Sequence, residues 1–153
     1  LSKMGFLASE LIFGEENPRF VPRDDIAVIC FNRSASLESD TLYQTTIQRE
    51  EDYFPSPSVF VYTLPNIVTG EIAIRNKLFG ETSFYLCKEL DGEAVFRTVT
   101  QAFLDKNTHS VLAAWIECFE AVCETRMMRV EAGCPVSGAG IPFDQMSLLF
   151  HSK

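Results

Sequence analysis

The chain has 153 residues, a length that fits a single domain over 1–153 and buries roughly 70% of its unfolded surface. Hydrophobic residues make up 46% and charged residues 22%, which is the balance of a packed globular unit and not of a disordered one. A formal charge of −8 repels phosphate backbones and anionic lipid, so it argues against nucleic acid and membrane surfaces as partners.

No apolar run approaches the roughly 18–20 residues of a membrane span. The opening Leu1-Ser2-Lys3-Met4 lacks the basic-then-apolar order of a secretory leader, and a start without Met reads as a piece of something longer. Five cysteines (Cys30, Cys87, Cys118, Cys123 and Cys134) show no C-x-x-C spacing, and several sit in or beside apolar runs. Reduced thiols and a cytoplasmic location are expected.

In chain order, Met4, Leu7, Ala8, Leu11 and Ile12 fall on one face of a helix expected over 4–13, with Gly14 as its stop. Ile26 to Phe31 is a continuous, β-branched run, as expected of a strand buried on both faces. A polar helix is expected over 37–49, and the prolines of 53–57 suggest a rigid loop. Leu64, Ile67, Val68, Ile72, Ala73 and Ile74 line a helix over 64–77, and Gly70 inside it suggests close approach of another backbone. A strand at 82–87, a helix at 93–106 and an apolar strand at 111–116 then form a βαβ unit. Beyond Cys118 the pattern weakens, with strands expected at 127–132 and 146–151 around a Gly/Pro loop at 133–142. The class is α/β.

Chemistry-bearing motifs are sparse. There is no phosphate-cradling glycine loop, and no His/Cys cluster at metal spacing. His109 and His151 are the two histidines; the first reads as a loop residue before a strand, the second lies near the end. Cys118 and Cys123 read as structural, and Trp115 as core.

The informative stretch is 56–117. Ser56-Pro57-Ser58-Val59-Phe60-Val61-Tyr62-Thr63-Leu64-Pro65-Asn66-Ile67-Val68-Thr69-Gly70-Glu71-Ile72-Ala73-Ile74 resembles the β-ketoacyl-acyl-carrier-protein synthase segment that runs through Asn-x-x-small-Gly-x-Ile-x-Ile. In that family a Gly-Pro turn, a strand and the nucleophile elbow Ala-Cys-x-Ser-Gly come next. Here Gly80-Glu81 stands at the turn, Thr82 to Leu86 at the strand, and Gly92 at the elbow glycine. Leu112 to Glu117 matches a later family strand that also ends in Glu. The resemblance implies the amino-terminal half of a thiolase-superfamily protein: a thiolase-like half with a mixed, mostly parallel sheet and helices on its faces.

The resemblance also sets the site. It places Glu89 at the nucleophile position, three residues before Gly92, with Cys87 as the runner-up nucleophile and Asn66 and Gly92 at substrate-binding positions. A carboxylate cannot carry a thioester, since it lacks the soft sulfur nucleophile. The family's two catalytic histidines belong to the other half of its fold. The resemblance therefore implies a ketosynthase-like protein of fatty-acid or polyketide-type biosynthesis that does not itself condense chains but serves as a partner or chain-length-type subunit. No cofactor or metal is implied. An acyl carrier protein or a synthase subunit would be the partner, with a homo- or heterodimer formed through Thr82–Leu86. Two alternatives stand beside this reading: an active 3-oxoacyl synthase (an acyltransferase) using Cys87, and a non-catalytic acyl-binding or structural module with an apolar pocket beneath 65–74.

Overall fold

The computed structural model describes residues 1–16, 19–51, 53–120 and 122–133. The elements are α1 (Ser2–Phe13), β1 (Ile26–Asn32), α2 (Leu37–Thr45), α3 (Pro57–Val61), α4 (Ile67–Asn76), β2 (Thr82–Leu86), α5 (Gly92–Ala102), β3 (Ser110–Phe119) and β4 (Val122–Glu131). They build one four-stranded sheet in the order β2-β1-β3-β4. β1 pairs in parallel with β2 and with β3, and β3 pairs antiparallel with β4.

The sheet is mixed and mostly parallel because its centre is apolar on both sides. Every residue of β1 is buried, and so are the first eight of β3. Their side chains alternate between two cores. Ile26, Val28 and Cys30 join Leu112, Ala114 and Ile116 beneath α1 and α4, which contribute Phe13, Val68 and Ile72. Ala27, Ile29 and Phe31 join Val111, Ala113 and Trp115 beneath α5, which contributes Val95, Val99 and Ala102. Burying an aliphatic side chain is worth about 1.5–3 kcal/mol, so these two layers supply the driving force and fix the strand register.

Several expectations are corrected. α1 is rotated from the expected face: Ser2, Gly5, Ser9 and Phe13 are buried and Met4 and Ile12 pack partly against the core, while Leu7 and Leu11 stand 64% and 84% exposed. Small residues win that face because a side chain at Gly5 would have no room. A Cβ there would lie 2.4 Å from Val68 Cγ2 and 2.9 Å from Ile116 Cδ1. The close backbone approach expected at Gly70 is absent there, since a Cβ on Gly70 would meet nothing within 4 Å; it occurs at Gly80, beside Ile26 O. Gly70→Ala is accordingly expected to stabilise the chain by about 0.5–1 kcal/mol, measurable by urea unfolding; a loss of stability would contradict the open space there.

α4 begins at Ile67, leaving Leu64 and the tail-end Ile74 exposed. The proline stretch at 53–57 ends in a helix, since Pro57 occupies the first turn of α3 and Ser56 Oγ accepts from Val59 N. α2 stops at Thr45 and α5 at Ala102, each short of the expected span. β4 begins at Val122, closing a hairpin directly onto β3. The strand expected at 146–151 and all but the first residue of the 133–142 loop lie outside the described residues.

Candidate functional site

The chain leaves β1 through α2, α3 and α4, and α4 returns over one face to β2. It leaves β2 through α5 over the opposite face and reaches β3. Connections from two neighbouring parallel strands therefore diverge to opposite faces, and their carboxyl ends bound the position where α/β sheets bind ligands. Asn32 and Leu86 are paired at that edge, and the Cys87 N–H donates to the Asn32 carbonyl at 2.8 Å.

The turn between β2 and α5, to which the resemblance assigns the nucleophile position, is at this edge. Cys87 comes directly after β2 and is half-buried against the α5-side core beside Leu90. Its thiol is pushed above its ordinary range by burial first and by the Asp91 carboxylate second. Neither cause activates a nucleophile, because both disfavour the thiolate. Glu89 is exposed in the next turn. The residue that meets the helix start is Asp91, whose carboxylate accepts from Glu93 N at 2.9 Å and Ala94 N at 3.2 Å. Asp91 is thus the carboxylate that satisfies the free N–H groups of that helix start. Gly92 is the buried first residue of α5.

Asn66 precedes α4 and is exposed; its carbonyl accepts from Thr69 Oγ1 at 2.8 Å, and its side chain makes no capping bond. α4 and α5 both return the chain from the carboxyl edge, so Asn66 and Gly92 open on the same end of the sheet but on opposite faces. His109 is at the other end. It precedes Ser110, which pairs with Ile26 at the start of β1, six residues from Asn32. At about 3.3 Å per residue that is roughly 20 Å of strand between His109 and Cys87. His151 lies outside the described residues.

Sequence reasoning missed one feature of the edge. Glu117 is 1% exposed, and its carboxylate accepts from Arg33 N at 2.8 Å, from Ser34 N at 3.3 Å and from the Ser34 hydroxyl. The same turn is held by Asn32, which exchanges hydrogen bonds with the Ala35 backbone at 2.8 and 3.0 Å, and by Ser36 Oγ donating to Thr63 O at 2.5 Å. Ala35 adopts a left-handed conformation, φ +51°, which those contacts over-determine. The available signal was a carboxylate ending a wholly apolar strand, since a charge there must find donors.

Beneath α4, where the acyl-binding alternative put its pocket, Val68 and Ile72 pack on the sheet. A shallow groove of about 640 Å³ lies instead on the outer side, between Phe6 and Leu7 of α1 and Ile74 and Arg75 of α4. Arg75 is engaged there by Glu10, with Nε 3.0 Å from Oε1. Among the described residues no group of three metal-ligating side chains converges.

Solved structures share this arrangement. A ketosynthase in complex with its chain length factor from Xenorhabdus doucetiae aligns over 76% of the chain and 45% of the matched one, with a TM-score of 0.59 and 16% identity. The ishigamide ketosynthase/chain length factor aligns over 79% of the chain and 35% of the other, with a TM-score of 0.67 and 18% identity. The fold is ketosynthase-like. The resemblance read from 56–117 is borne out at the level of fold, and β2 and β3 lie in one sheet with β1 between them. The chain spans less than half the length of these solved chains. No family model matches the sequence, and no curated protein matches it significantly.

In this ketosynthase-like sheet β2 is an edge strand whose outer side has no neighbour among the described residues. Val28 N donates to Glu81 O and Cys87 N to Asn32 O, so the odd-numbered residues of β2 turn their N–H groups toward β1 and Thr82, Phe84 and Leu86 turn theirs outward. Tyr85 stacks on Phe31 with ring centroids 5.3 Å apart, while Leu86 is 61% exposed. No helix among the described residues is long and apolar enough to cross a membrane.

Proposed function

We propose that the chain is a ketosynthase-like subunit that does not condense acyl chains and acts as the partner, of chain-length type, of a condensing synthase in fatty-acid or polyketide-type biosynthesis. The carrying observation is the composition of the corner at the carboxyl edge of β1 and β2. By the sequence resemblance it stands where a ketosynthase has its reactive elbow, and it offers an exposed Glu89, a Cys87 thiol whose ionisation burial and Asp91 disfavour, and no described histidine within reach. Condensation requires preorganised donors for the developing enolate, and His109 is too far along the sheet to be one. Asn66 and Gly92 flank the edge as family-type binding positions. The outward N–H groups of β2 support pairing through Thr82–Leu86, since an apolar edge strand left open invites another strand. A cytoplasmic setting suits the reading. A carrier protein of acidic charge would have to dock on a local basic patch against the net charge of −8.

The test is co-expression with a condensing synthase, followed by incubation with malonyl-loaded carrier protein and intact-mass measurement. A stable heterodimer and no acyl adduct on this chain are expected, and Leu86→Lys together with Thr82→Lys is expected to separate the two subunits while leaving this one folded. An adduct on Cys87, lost in Cys87→Ala, would replace this reading with the active acyltransferase. Failure to associate with any synthase would favour a free-standing acyl-binding or structural module.

A further inference from the structure

The β3–β4 hairpin brings two cysteines face to face. Its connection is only Glu120, with φ +54°, and residue 121, and the ladder runs Phe119↔Val122, then Cys118↔Cys123. A bridge that closes a two-residue connection can only be a hydrogen-bonded pair, so the next pair outward is non-hydrogen-bonded. Opposed Cα atoms at such a pair are about 4.5 Å apart, inside the range of about 4.4–6.8 Å that a disulfide spans.

Cys118 stands close enough to push the Cys123 thiol above its ordinary range. Both project to the sheet face that carries Ala114 and Ile116. Cys123 is exposed and Cys118 half-buried. The other described cysteines are poor competitors. Cys30 is fully buried in β1, its thiol pushed up to about 12 by burial, and Cys87 packs on the α5 side of the sheet.

We propose that Cys118 and Cys123 form a reversible dithiol–disulfide site that exchanges with small-molecule disulfides. The Cys123 thiolate attacks one sulfur of the small disulfide, expelling one thiolate and leaving a mixed disulfide on Cys123. The Cys118 thiolate then attacks the Cys123 sulfur, forming the Cys118–Cys123 bond and expelling the second thiolate. The two protein S–H protons end on the two released thiols, and two electrons pass to the small disulfide. The cross-link spans a register pair that already exists, so the fold is the same in both states and the hairpin tip alone is locked. This inference is independent of the partner-subunit reading.

The experiment incubates the full chain in buffers spanning reduced-to-oxidised glutathione ratios, quenches with iodoacetamide and maps peptides by mass spectrometry. Both cysteines lie on one peptide between Lys106 and Arg126, with no other Lys or Arg in it. A cross-link therefore shows as loss of two hydrogens from that peptide, and a glutathione adduct as a gain. The expected result is the cross-linked peptide appearing with a single midpoint and little adduct. In Cys118→Ser the second step is blocked, so the Cys123–glutathione adduct is expected to accumulate at least about tenfold over the unsubstituted chain. Independent adducts on the two cysteines, pairing of Cys123 with Cys87 or Cys134, or no cross-link across the series would each overturn the proposal.

Discussion

Glu117→Ala is expected to destabilise the chain by about 3 kcal/mol or more, which lowers Tm by about 10 °C for a domain of this length. The carboxylate is the shared acceptor for two backbone N–H groups and a hydroxyl in the turn after β1. Alanine leaves Arg33 N and Ser34 N without that acceptor, and an unsatisfied buried donor costs about 1–3 kcal/mol. The methyl group also leaves a void at the end of a strand that is otherwise packed. Glu117→Gln keeps an acceptor oxygen but loses the charge assistance, so a smaller loss of about 1–2 kcal/mol is expected. Thermal unfolding of the two variants beside Ser34→Ala checks this. Equal, small effects for all three would show that the turn is held by Asn32 and Ser36 alone. The effect should also be local to the carboxyl edge: hydrogen exchange at Cys87 N, bonded to Asn32 O, should quicken more than at Phe79 N at the far end.

Parts of this molecule were legible because burial on both faces leaves a strong mark. Ile26 to Phe31 and Val111 to Ile116 read as fully apolar strands and are the two buried strands at the centre of the sheet, and the pattern between 82 and 116 implied the parallel crossover that α5 makes. The turn between β2 and α5 could be located because it is the start of that crossover. What could not be read was anything decided by close packing of small groups. In α1 the apolar stripe of Leu7 and Leu11 outweighs Ser2, Gly5 and Ser9 on any hydrophobic scale, yet only the small side chains let the helix settle against Val68 and Ile116. Gly70 drew attention in α4 because glycine is costly in a helix, but the space beside it is open. At the site, counting back from Gly92 gave Glu89 a position in the family pattern but said nothing of the helix cap, which Asp91 forms one residue before α5. Charge partners were equally hidden: nothing in the local sequence ties Glu117 to Ser34, more than eighty positions away. The Cys118–Cys123 pairing depended on a two-residue connection at a point where the strand pattern had already faded.

Gly80→Ala is expected to be the more damaging of two small-to-larger changes, costing about 3 kcal/mol or more and reducing the yield of folded chain. A Cβ at Gly80 would stand 2.2 Å from the Ile26 carbonyl oxygen, 2.8 Å from its carbon and 3.2 Å from Asp24 O. These are backbone atoms at the start of the central strand, so no rotamer change relieves the overlap. Moving the 78–81 segment away would strain Phe79 N to Arg23 O at 2.6 Å, Arg23 N to Lys77 O at 3.0 Å and Val28 N to Glu81 O at 2.8 Å. Those bonds deliver the chain from α4 into β2, and their loss would shift the strand that leads to Cys87. Gly5→Ala meets side-chain tips instead, Val68 Cγ2 and Ile116 Cδ1, which can give at a lower cost of about 1–3 kcal/mol. Comparing the two by soluble yield and urea midpoint separates the cases. Should Gly80→Ala match the unsubstituted chain while Gly5→Ala unfolds it, the entry into β2 would be looser than these contacts require, and the α1–α4 seam would be the rigid part of the fold.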